Sequence, residues 1–405
     1  MKHYLRTTLL FTVLLAIVAS TDAQKKEYES LREAISSARN LRGDTGPSNV
    51  VWINDGKQYS FTKMNEGAQE IWVHDIGSGD ETLVFSAAGK TFNDGSDFRY
   101  RSFQWAGDYD YLLFQTNFEQ VWRYSGNSDY YYYSTKDDTL EMIIDQAFTA
   151  EVSPDGTKLG YGKNGDLYMY NFAAGHTTQF TDDAKDYFYN GRWGWAYEEE
   201  FGLVQAWKWS PDSKYIAFWQ SDERHVPIYR LTDFEGIHPD YMEVPYPKVG
   251  DPAPYVKIGI INTLTGERNW VDFELDDGYI PRIYWTSEKE KLAIVYMNRP
   301  QDLVEVYMVN VTNQEKEMIY RENSETWIDI FDFFAGEADH FYFPEGMDEF
   351  FFISEKDGWA HITMISYDGS SIQQVTEGAY EVVGIKAIDT SKKRLYFVST
   401  ESSPL

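Results

Sequence analysis

Residues 209–218 read Trp209-Ser210-Pro211-Asp212-Ser213-Lys214-Tyr215-Ile216-Ala217-Phe218, an aromatic residue, a polar turn and a short apolar strand. Proline fixes φ in such a turn, and aspartate hydrogen-bonds to its own backbone. A second close copy, VSPDGTKLGY, begins at Val152. Looser copies begin at Trp52, Trp105, Trp285, Phe343 and Ile388. The chain is therefore built from a repeated hairpin.

The turns of these seven copies are spaced with some regularity. The acidic turn position, or its equivalent, falls at 55, 108, 155, 212, 288, 345 and 391, at intervals of 46–57 residues with one of 76. A second amphipathic strand follows some copies, as at Asp166–Asn171 and Val304–Asn310. Hairpins at this period are typical of a β-propeller with about four strands per blade. The sequence predicts an all-β propeller with about seven blades, against the alternatives of a β-sandwich or unrelated hairpins.

Three segments depart from the hairpin pattern. Leu31–Asn40 (LREAISSARN) predicts a short N-terminal helix, and the interval of 76 predicts an insertion between residues 219 and 284. Asp186–Leu203 (DYFYNGRWGWAYEEEFGL) shows no strand alternation, which predicts a helical or irregular insertion. Because long excursions from a regular scaffold are often functional, the last segment is the first place to look for a site.

Composition excludes several classes of protein. The chain of 405 residues has 42% hydrophobic and 17% aromatic residues, enough for a large core. It has no cysteine, so it has no disulfide, no thiolate metal site and no cysteine nucleophile. A formal net charge of −29 argues against sequence-independent binding of nucleic acid, which requires basic residues.

The N-terminus has the pattern of a secretory signal. Lys2 and Arg6 precede the apolar run Leu9–Ala19, and small residues end at Ala23. The run has 11 residues, too few for the roughly 20 that span a bilayer, although an uncleaved anchor stays an alternative. We therefore expect a signal peptide at 1–23, an N-terminal segment at 24–49, and a propeller domain at 50–405 of an exported protein, periplasmic or secreted, without a membrane span.

Three consecutive glutamates, Glu198, Glu199 and Glu200, follow two tryptophans and a tyrosine. A run of charge is usually a solvated surface. An aromatic context favours partial burial instead, and buried carboxylates need a compensating cation. That cation could come from a protein side chain, a metal or the ammonium group of a ligand.

The segment Trp195–Phe201 (WAYEEEF), followed by Trp207-Lys208-Trp209-Ser210-Pro211, resembles the double-glutamate region of the dipeptidyl peptidase IV family. That family is a branch of the prolyl oligopeptidase family of serine peptidases. Val244–Gly250 (VPYPKVG) and Gln120–Arg123 (QVWR) are further matches. The order and spacing fit from about Val50 to the end of the sequence.

The resemblance implies an eight-bladed propeller that covers a C-terminal α/β-hydrolase domain. It implies that Glu199 and Glu200 bind the free N-terminal ammonium of a peptide. It also implies that Arg123 binds the carbonyl of the penultimate residue and steadies the glutamates, whereas an isolated arginine would otherwise be read as a surface ion pair. The resemblance further implies that Phe334 forms an aromatic wall of the pocket for the first side chain. Relatives commonly dimerise, so a homodimer is implied as well.

The family's catalytic apparatus is not visible in the sequence. No Gly-x-Ser-x-Gly pentapeptide, HExxH spacing or glycine-rich phosphate loop occurs, so we expect no catalytic residue, no metal and no cofactor in this chain. The seven histidines read as ordinary surface or core residues. We expect an incomplete propeller, inactive by itself, from a serine dipeptidyl peptidase that releases Xaa-Pro or Xaa-Ala from peptide N-termini. A tripeptidyl-releasing relative and a propeller that only binds are the alternatives.

Overall fold

A computed structural model describes residues 28–37, 46–273, 277–332, 336 and 339–402. The chain divides between Leu83 and Val84 into two units. The first unit carries helix α1 (Leu31–Ser37) and an antiparallel β1-β2-β3 arrangement. Its strands are β1 (Ser48–Ile53), β2 (Gln58–Asn65) and β3 (Ala68–Asp75), and β4 (Glu81–Ser86) begins there. The predicted helix is confirmed over Leu31–Ser37, while residues 38–40 and the predicted signal peptide lie outside the described residues.

Antiparallel sheets of four strands recur along the second unit, because short β-branched and aromatic runs alternate with tight turns. The sheet next along the chain contains β5 (Ser102–Ala106), β6 (Tyr111–Gln120), β7 (Gly126–Ser134) and β8 (Thr139–Ala147). The following sheet contains β9 (Thr149–Val152), β10 (Lys158–Lys163), β11 (Asp166–Asn171) and β12 (His176–Gln179). In both sheets, strands that are consecutive in sequence are neighbours in the sheet.

The central sheet of this unit is more elaborate. It contains β13 (Phe188–Asn190), β14 (Trp207–Trp209), β15 (Tyr215–Asp222), β18 (Tyr255–Asn262) and β19 (Arg268–Trp270). Between β15 and β18 the chain forms a separate hairpin of β16 (Ile228–Asp233) and β17 (Asp240–Pro245). This hairpin lies within the predicted insertion between residues 219 and 284. Every side chain of β16 is exposed.

Three further sheets complete the described chain. One contains β20 (Tyr279–Trp285), β21 (Lys291–Met297), β22 (Leu303–Asn310) and β23 (Lys316–Asn323). The next contains β24 (Phe341–Tyr342), β25 (Glu349–Ser354), β26 (His361–Ser366) and β27 (Ile372–Gln374). The last consists of β28 (Val382–Asp389) and β29 (Arg394–Ser399).

All seven predicted turns are found, and each joins two strands that pair with each other. Six of them join the first two strands of a sheet, and the turn at 212 joins β14 to β15 in the sheet that begins with β13. One extensive core cluster joins the sheet of β15 to those of β21 and β25. It includes Trp219, Ile294 and Phe352, each 0% exposed. Buried aliphatic and aromatic side chains of these strands thus form the packing layer between the sheets.

One prediction needs correction. Residues 186–203 were expected to contain no strand, but Phe188–Asn190 forms β13 and pairs with β15. Three residues are too short for a visible alternation, and the pairing partner lies some 30 residues away. The rest of that segment contains helix α2 (Trp195–Phe201), as the prediction of a helical or irregular insertion allowed. Among the described residues, no helix has the length and apolar character needed to cross a membrane.

Candidate functional site

Two glycines set the ends of helix α2, which carries the glutamate triplet. Gly202 follows the last residue with φ 64°, the left-handed conformation that commonly ends a helix. Gly194 precedes the first residue, and its N–H donates to Glu223 Oε1 at 3.1 Å. A Cβ at position 194 would stand 2.0 Å from the Glu223 carboxylate, so only glycine permits this approach.

Aromatic stacking holds the helix from two sides. The Tyr197 ring lies face to face with Trp193, with centroids 4.1 Å apart and an interplanar angle of 3°. The Tyr197 hydroxyl accepts the N–H of Ile280 at 3.3 Å. On the other side, Trp195 stacks on Tyr246 at 4.4 Å, which brings the Val-Pro-Tyr-Pro-Lys segment against the helix. The two sequence segments that carry the resemblance are therefore in contact.

The three glutamates point in different directions, as consecutive residues of a helix must. Glu198 is 1% exposed. Its Oε1 accepts the N–H groups of Tyr124 at 2.8 Å and of Ser125 at 3.0 Å. Glu198 thus fixes the backbone of the loop that immediately follows Arg123.

Glu199 forms an ion pair with Arg123. The arginine Nε lies 3.0 and 2.9 Å from the two carboxylate oxygens, and Nη2 lies 2.8 Å from Oε1. The arginine side chain is 60% exposed and the glutamate side chain 24%. The hydrogen bonds to Glu199 raise the pKa of the Arg123 guanidinium above its ordinary value. The ion pair has favourable geometry but is accessible to solvent. It therefore orients the two side chains more than it stabilises the fold.

Glu200 is exposed and has no ion-pair partner within the described chain. Together with Glu199 it lines a cavity of about 660 Å³. The opposite walls come from the segments after β23, β25 and β27. They contribute an acidic set, an apolar set and one histidine, namely Asp329, Asp332, Glu355, Glu381, Trp327, Ile328, Ile330, Phe331, Ala360, Val382, Val383 and His340.

The carboxylates of this cavity are crowded. Burial, followed by the charges of Asp329 and Glu381, raises the pKa of the Glu355 carboxyl. His340 is 8% exposed, and burial lowers the pKa of its imidazole. Neither ring nitrogen completes a hydrogen bond of normal geometry, although the Asp329 main chain lies close. The cavity therefore favours a positively charged occupant.

A second cavity, of about 440 Å³, shares Glu200, Phe201 and Gln301 with the first. Its walls are aromatic and basic: Trp195, Tyr246 and Tyr279 lie beside Lys248 and Arg299. Glu200 is thus exposed to both cavities. Among the described residues, no group of three or more potential ligands is placed to hold a metal ion.

Three of the four predicted site residues lie close together in the structure, and the fourth is outside the described residues. Arg123 and Glu199, 76 residues apart, are in direct contact, and Glu200 lines the same cavity as Glu199. Phe334 lies outside the described residues. Sequence reasoning missed Glu198 as the residue that holds the loop after Arg123. It also missed Asp329, Glu355, Glu381 and His340.

The sequence does contain a pattern that could have identified Asp329. The irregular acidic and aromatic segment Trp327-Ile328-Asp329-Ile330-Phe331 interrupts the strand pattern between β23 and β24, much as the glutamate segment does between β13 and β14. His340 gave no such signal, because its unpaired nitrogens are a property of its surroundings.

Comparison with known proteins gives consistent results. Residues 106–405 match the family described as the dipeptidyl peptidase IV (DPP IV) N-terminal region. Dipeptidyl peptidase 4 of Trichophyton rubrum is 28% identical over 372 residues, which cover 87% of this chain and 46% of that protein. A probable dipeptidyl peptidase 4 of Neosartorya fischeri is 30% identical over 311 residues, covering 72% of this chain and 40% of that protein. The chain spans about half the length of the curated relatives that it matches.

Solved structures agree with the sequence matches. The crystal structure of Porphyromonas gingivalis dipeptidyl peptidase 4 superposes with a TM-score of 0.81 at 26% identity, over 94% of this chain and 53% of that one. A putative dipeptidyl aminopeptidase IV from Bacteroides ovatus gives a TM-score of 0.65 at 18% identity, over 89% of this chain and 52% of that one. The predicted all-β propeller fold class is confirmed by the first of these matches.

Proposed function

The chain belongs to the family of dipeptidyl peptidase IV N-terminal regions, and from that premise we propose that it gates and anchors substrate for an exported serine dipeptidyl peptidase. Its curated relatives are dipeptidyl peptidases, which are hydrolases acting on peptides. In the proposal, the whole protein releases Xaa-Pro or Xaa-Ala from free peptide N-termini. The bond is broken by a C-terminal α/β-hydrolase domain, for which the half-length coverage of the relatives leaves room.

One observation supports the proposal most directly: Arg123 is hydrogen-bonded to Glu199 beside a cavity that is lined by both Glu199 and Glu200. A peptide ammonium placed between these two carboxylates gains charge-assisted hydrogen bonds. A peptide with a blocked N-terminus leaves both carboxylates desolvated and unpaired, and is rejected. The anchor thus selects free N-termini.

Arg123 has a second role in the proposal. The pair with Glu199 uses its Nε–H and one Nη2–H, while a guanidinium has five N–H donors. Because the side chain is 60% exposed, the remaining donors are accessible to the carbonyl of the penultimate peptide residue. With amine and carbonyl both held, a dipeptide of about 7 Å fixes which bond reaches the nucleophile.

The test is substitution of the anchor in the full-length protein. Glu199→Gln and Glu200→Gln remove one charge each and keep the shape of the side chain. We expect each to lower kcat/KM for a Gly-Pro anilide by about 30-fold or more, equivalent to about 2 kcal/mol of transition-state stabilisation. Glu243→Gln breaks the exposed Arg230–Glu243 pair of the β16–β17 hairpin, with an N–O distance of 2.8 Å, and is the matched control. Unchanged kcat/KM in both anchor variants would rule out the amine-binding role.

Two substrates separate the proposal from its alternatives. A Gly-Gly-Pro anilide cleaved in preference to Gly-Pro would indicate release of tripeptides. Absence of hydrolysis by the full-length protein, with retained binding of free N-terminal peptides, would indicate a binding module. The 405-residue chain by itself is expected to bind such peptides without hydrolysing an Xaa-Pro amide.

A further inference from the structure

The cavity beside Glu199 and Glu200 has more negative charge than one ammonium group requires. Two carboxylates suffice for an amine, yet Asp329, Glu355 and Glu381 also line it. None of its described lining residues is a lysine or arginine. Burial, followed by the charges of Asp329 and Glu381, raises the pKa of Glu355, as expected where carboxylates are crowded. A second cation would relieve that repulsion.

His340 supplies an independent indication. It lines the same cavity, is 8% exposed, and neither ring nitrogen completes a hydrogen bond of normal geometry with a described residue. A buried polar group without a partner is costly unless a ligand supplies one. Burial lowers the pKa of the imidazole and so favours the neutral ring, which has one nitrogen that can accept a hydrogen bond from a cationic donor.

The cavity also has a surface suited to an aliphatic chain. Trp327, Ile330 and Phe331 line it together with the acidic groups. The Trp327 Nε1–H donates to Asp329 Oδ1 at 2.7 Å, which orients that carboxylate. Long cationic side chains pack their methylene groups on apolar surface and keep the charged end near polar groups.

The second cavity offers the opposite environment. It contains Lys248 and Arg299, and among its described lining residues Glu200 is the only carboxylate. A cationic side chain attached to an amine at Glu200 would therefore be repelled from the second cavity and attracted to the first.

We propose that Asp329, Glu355 and Glu381, with His340, form a subsite for the charged side chain of a first residue that is lysine or arginine. The proposal rests on the function proposed above, because Glu199 and Glu200 must hold the α-ammonium of the same residue. It assigns a substrate class to this protein: peptides with two positive charges on the first residue and proline or alanine at the second.

The test compares two substrates that differ by one charged group. Norleucine has the carbon chain of lysine without its ammonium group, so kcat/KM for Lys-Pro and norleucine-Pro anilides isolates the second charge. For the full-length protein at low ionic strength we expect a ratio of about tenfold or more in favour of lysine, falling as salt is added. Glu355→Gln and Glu381→Gln are expected to reduce the ratio several-fold. Glu345→Gln, in an exposed turn outside this cavity, is the matched control.

The outcomes distinguish this inference from the proposed function. A ratio near one in the wild-type protein, or a ratio unaffected by the double variant Glu355→Gln/Glu381→Gln, would overturn the subsite while leaving the amine anchor in place. Equal cleavage of free and N-acetylated substrates would remove the anchor, and the subsite with it.

Discussion

Three identical residues in a row acquire three roles because a helix turns about 100° per residue. Glu198 is buried against main-chain N–H groups, Glu199 pairs with an arginine, and Glu200 faces a cavity. Only Glu199 and Glu200 can meet a ligand. Glu198 acts on the site through the loop that it holds, so it is a positioning residue.

If Glu198 positions the loop after Arg123, its substitution should affect substrate binding. Glu198→Ala removes the acceptor of the Tyr124 and Ser125 N–H groups, and a buried unpaired group costs about 1–3 kcal/mol. We expect the loop to shift and the ion pair between Arg123 and Glu199 to be weakened. This should raise KM for Gly-Pro anilide about tenfold. Glu198→Gln keeps an acceptor oxygen and should recover most of the loss. Steady-state kinetics of the full-length protein measure both.

A double-mutant cycle provides the control for this prediction. If Glu198 acts through Arg123, then Glu198→Ala has little further effect on KM in an Arg123→Ala background. Additive losses would mean that Glu198 merely stabilises the fold. Thermal unfolding of the four proteins separates the two readings.

At the scale of elements, one hydrogen-bonded turn recurs along the chain. In the turns beginning at Ser153 and Ser210, the serine hydroxyl donates to the aspartate two residues on, at 2.6 and 2.8 Å. The same hydroxyl accepts the N–H of the residue five positions on, at 3.0 and 2.9 Å. Ser366 repeats both bonds, at 2.6 and 3.0 Å, between β26 and β27. The motif therefore closes tight turns at more than one position in a sheet.

Burial predicts which of these turns matters most. Ser210 is 0% exposed, so Ser210→Ala leaves the Tyr215 N–H without its acceptor where water does not reach. We expect a loss of about 1–3 kcal/mol in the free energy of unfolding. Ser366→Ala breaks the same two bonds in a partly exposed turn and should cost less than about 1 kcal/mol. Urea unfolding of both variants, followed by tryptophan fluorescence, checks the difference. Equal losses would show that burial does not set the cost.

What could be predicted from the sequence follows from the range of the interactions involved. The seven turns were found because a polar turn before a short apolar strand is a local pattern. In the two closest copies, the hydrogen bonds of the turn close within five residues. Strand β13 was missed because its partner is remote and its three residues carry no alternation. The turn at Ser366 makes the same two serine hydrogen bonds as those at Ser153 and Ser210. It was not predicted because Tyr367 stands where the other two turns have proline.

The candidate site divides in the same way. Glu199, Glu200 and Arg123 were identified through resemblance, and the contact between Arg123 and Glu199 crosses 76 residues. The part played by Glu198 depends on N–H groups 73 and 74 residues away, which no local pattern records. His340 is notable only for lacking partners, and that is visible only once its surroundings are known.

At the scale of the whole molecule, carboxyl groups make the stability depend on pH in two opposite ways. Hydrogen bonds from Ser366 and Ser370 lower the pKa of Asp368 to about 2, and Lys392 lowers that of Asp389 to about 2. A carboxyl with a lowered folded-state pKa stabilises the fold above its ordinary pKa, near 4. That contribution disappears as the pH falls toward 2. Acid should therefore lower the free energy of unfolding, by a small amount for each of these two exposed groups.

Glu223 acts in the opposite direction. Burial raises the pKa of its carboxyl to about 7, while its Oε1 accepts from Gly194 and Ser221 at 3.1 Å each. Between about pH 4.5 and 7 the native state then holds a proton that the unfolded chain has released, so stability falls as the pH rises. The cost reaches about 3 kcal/mol well above pH 7.

Glu223→Gln should remove this dependence, because glutamine keeps the acceptor oxygen and cannot ionise. We expect the free energy of unfolding of the wild-type chain to decline between pH 5 and pH 8 by up to about 3 kcal/mol more than that of the variant. Urea unfolding at several pH values measures it, with Glu243→Gln as the control for loss of one exposed carboxylate. Parallel curves for wild type and Glu223→Gln would mean that Glu223 stays ionised in the fold. In that case the positive charge of Arg192 would compensate the buried Glu223 carboxylate, and Gly194 would approach an ionised carboxylate instead of a neutral carboxyl group.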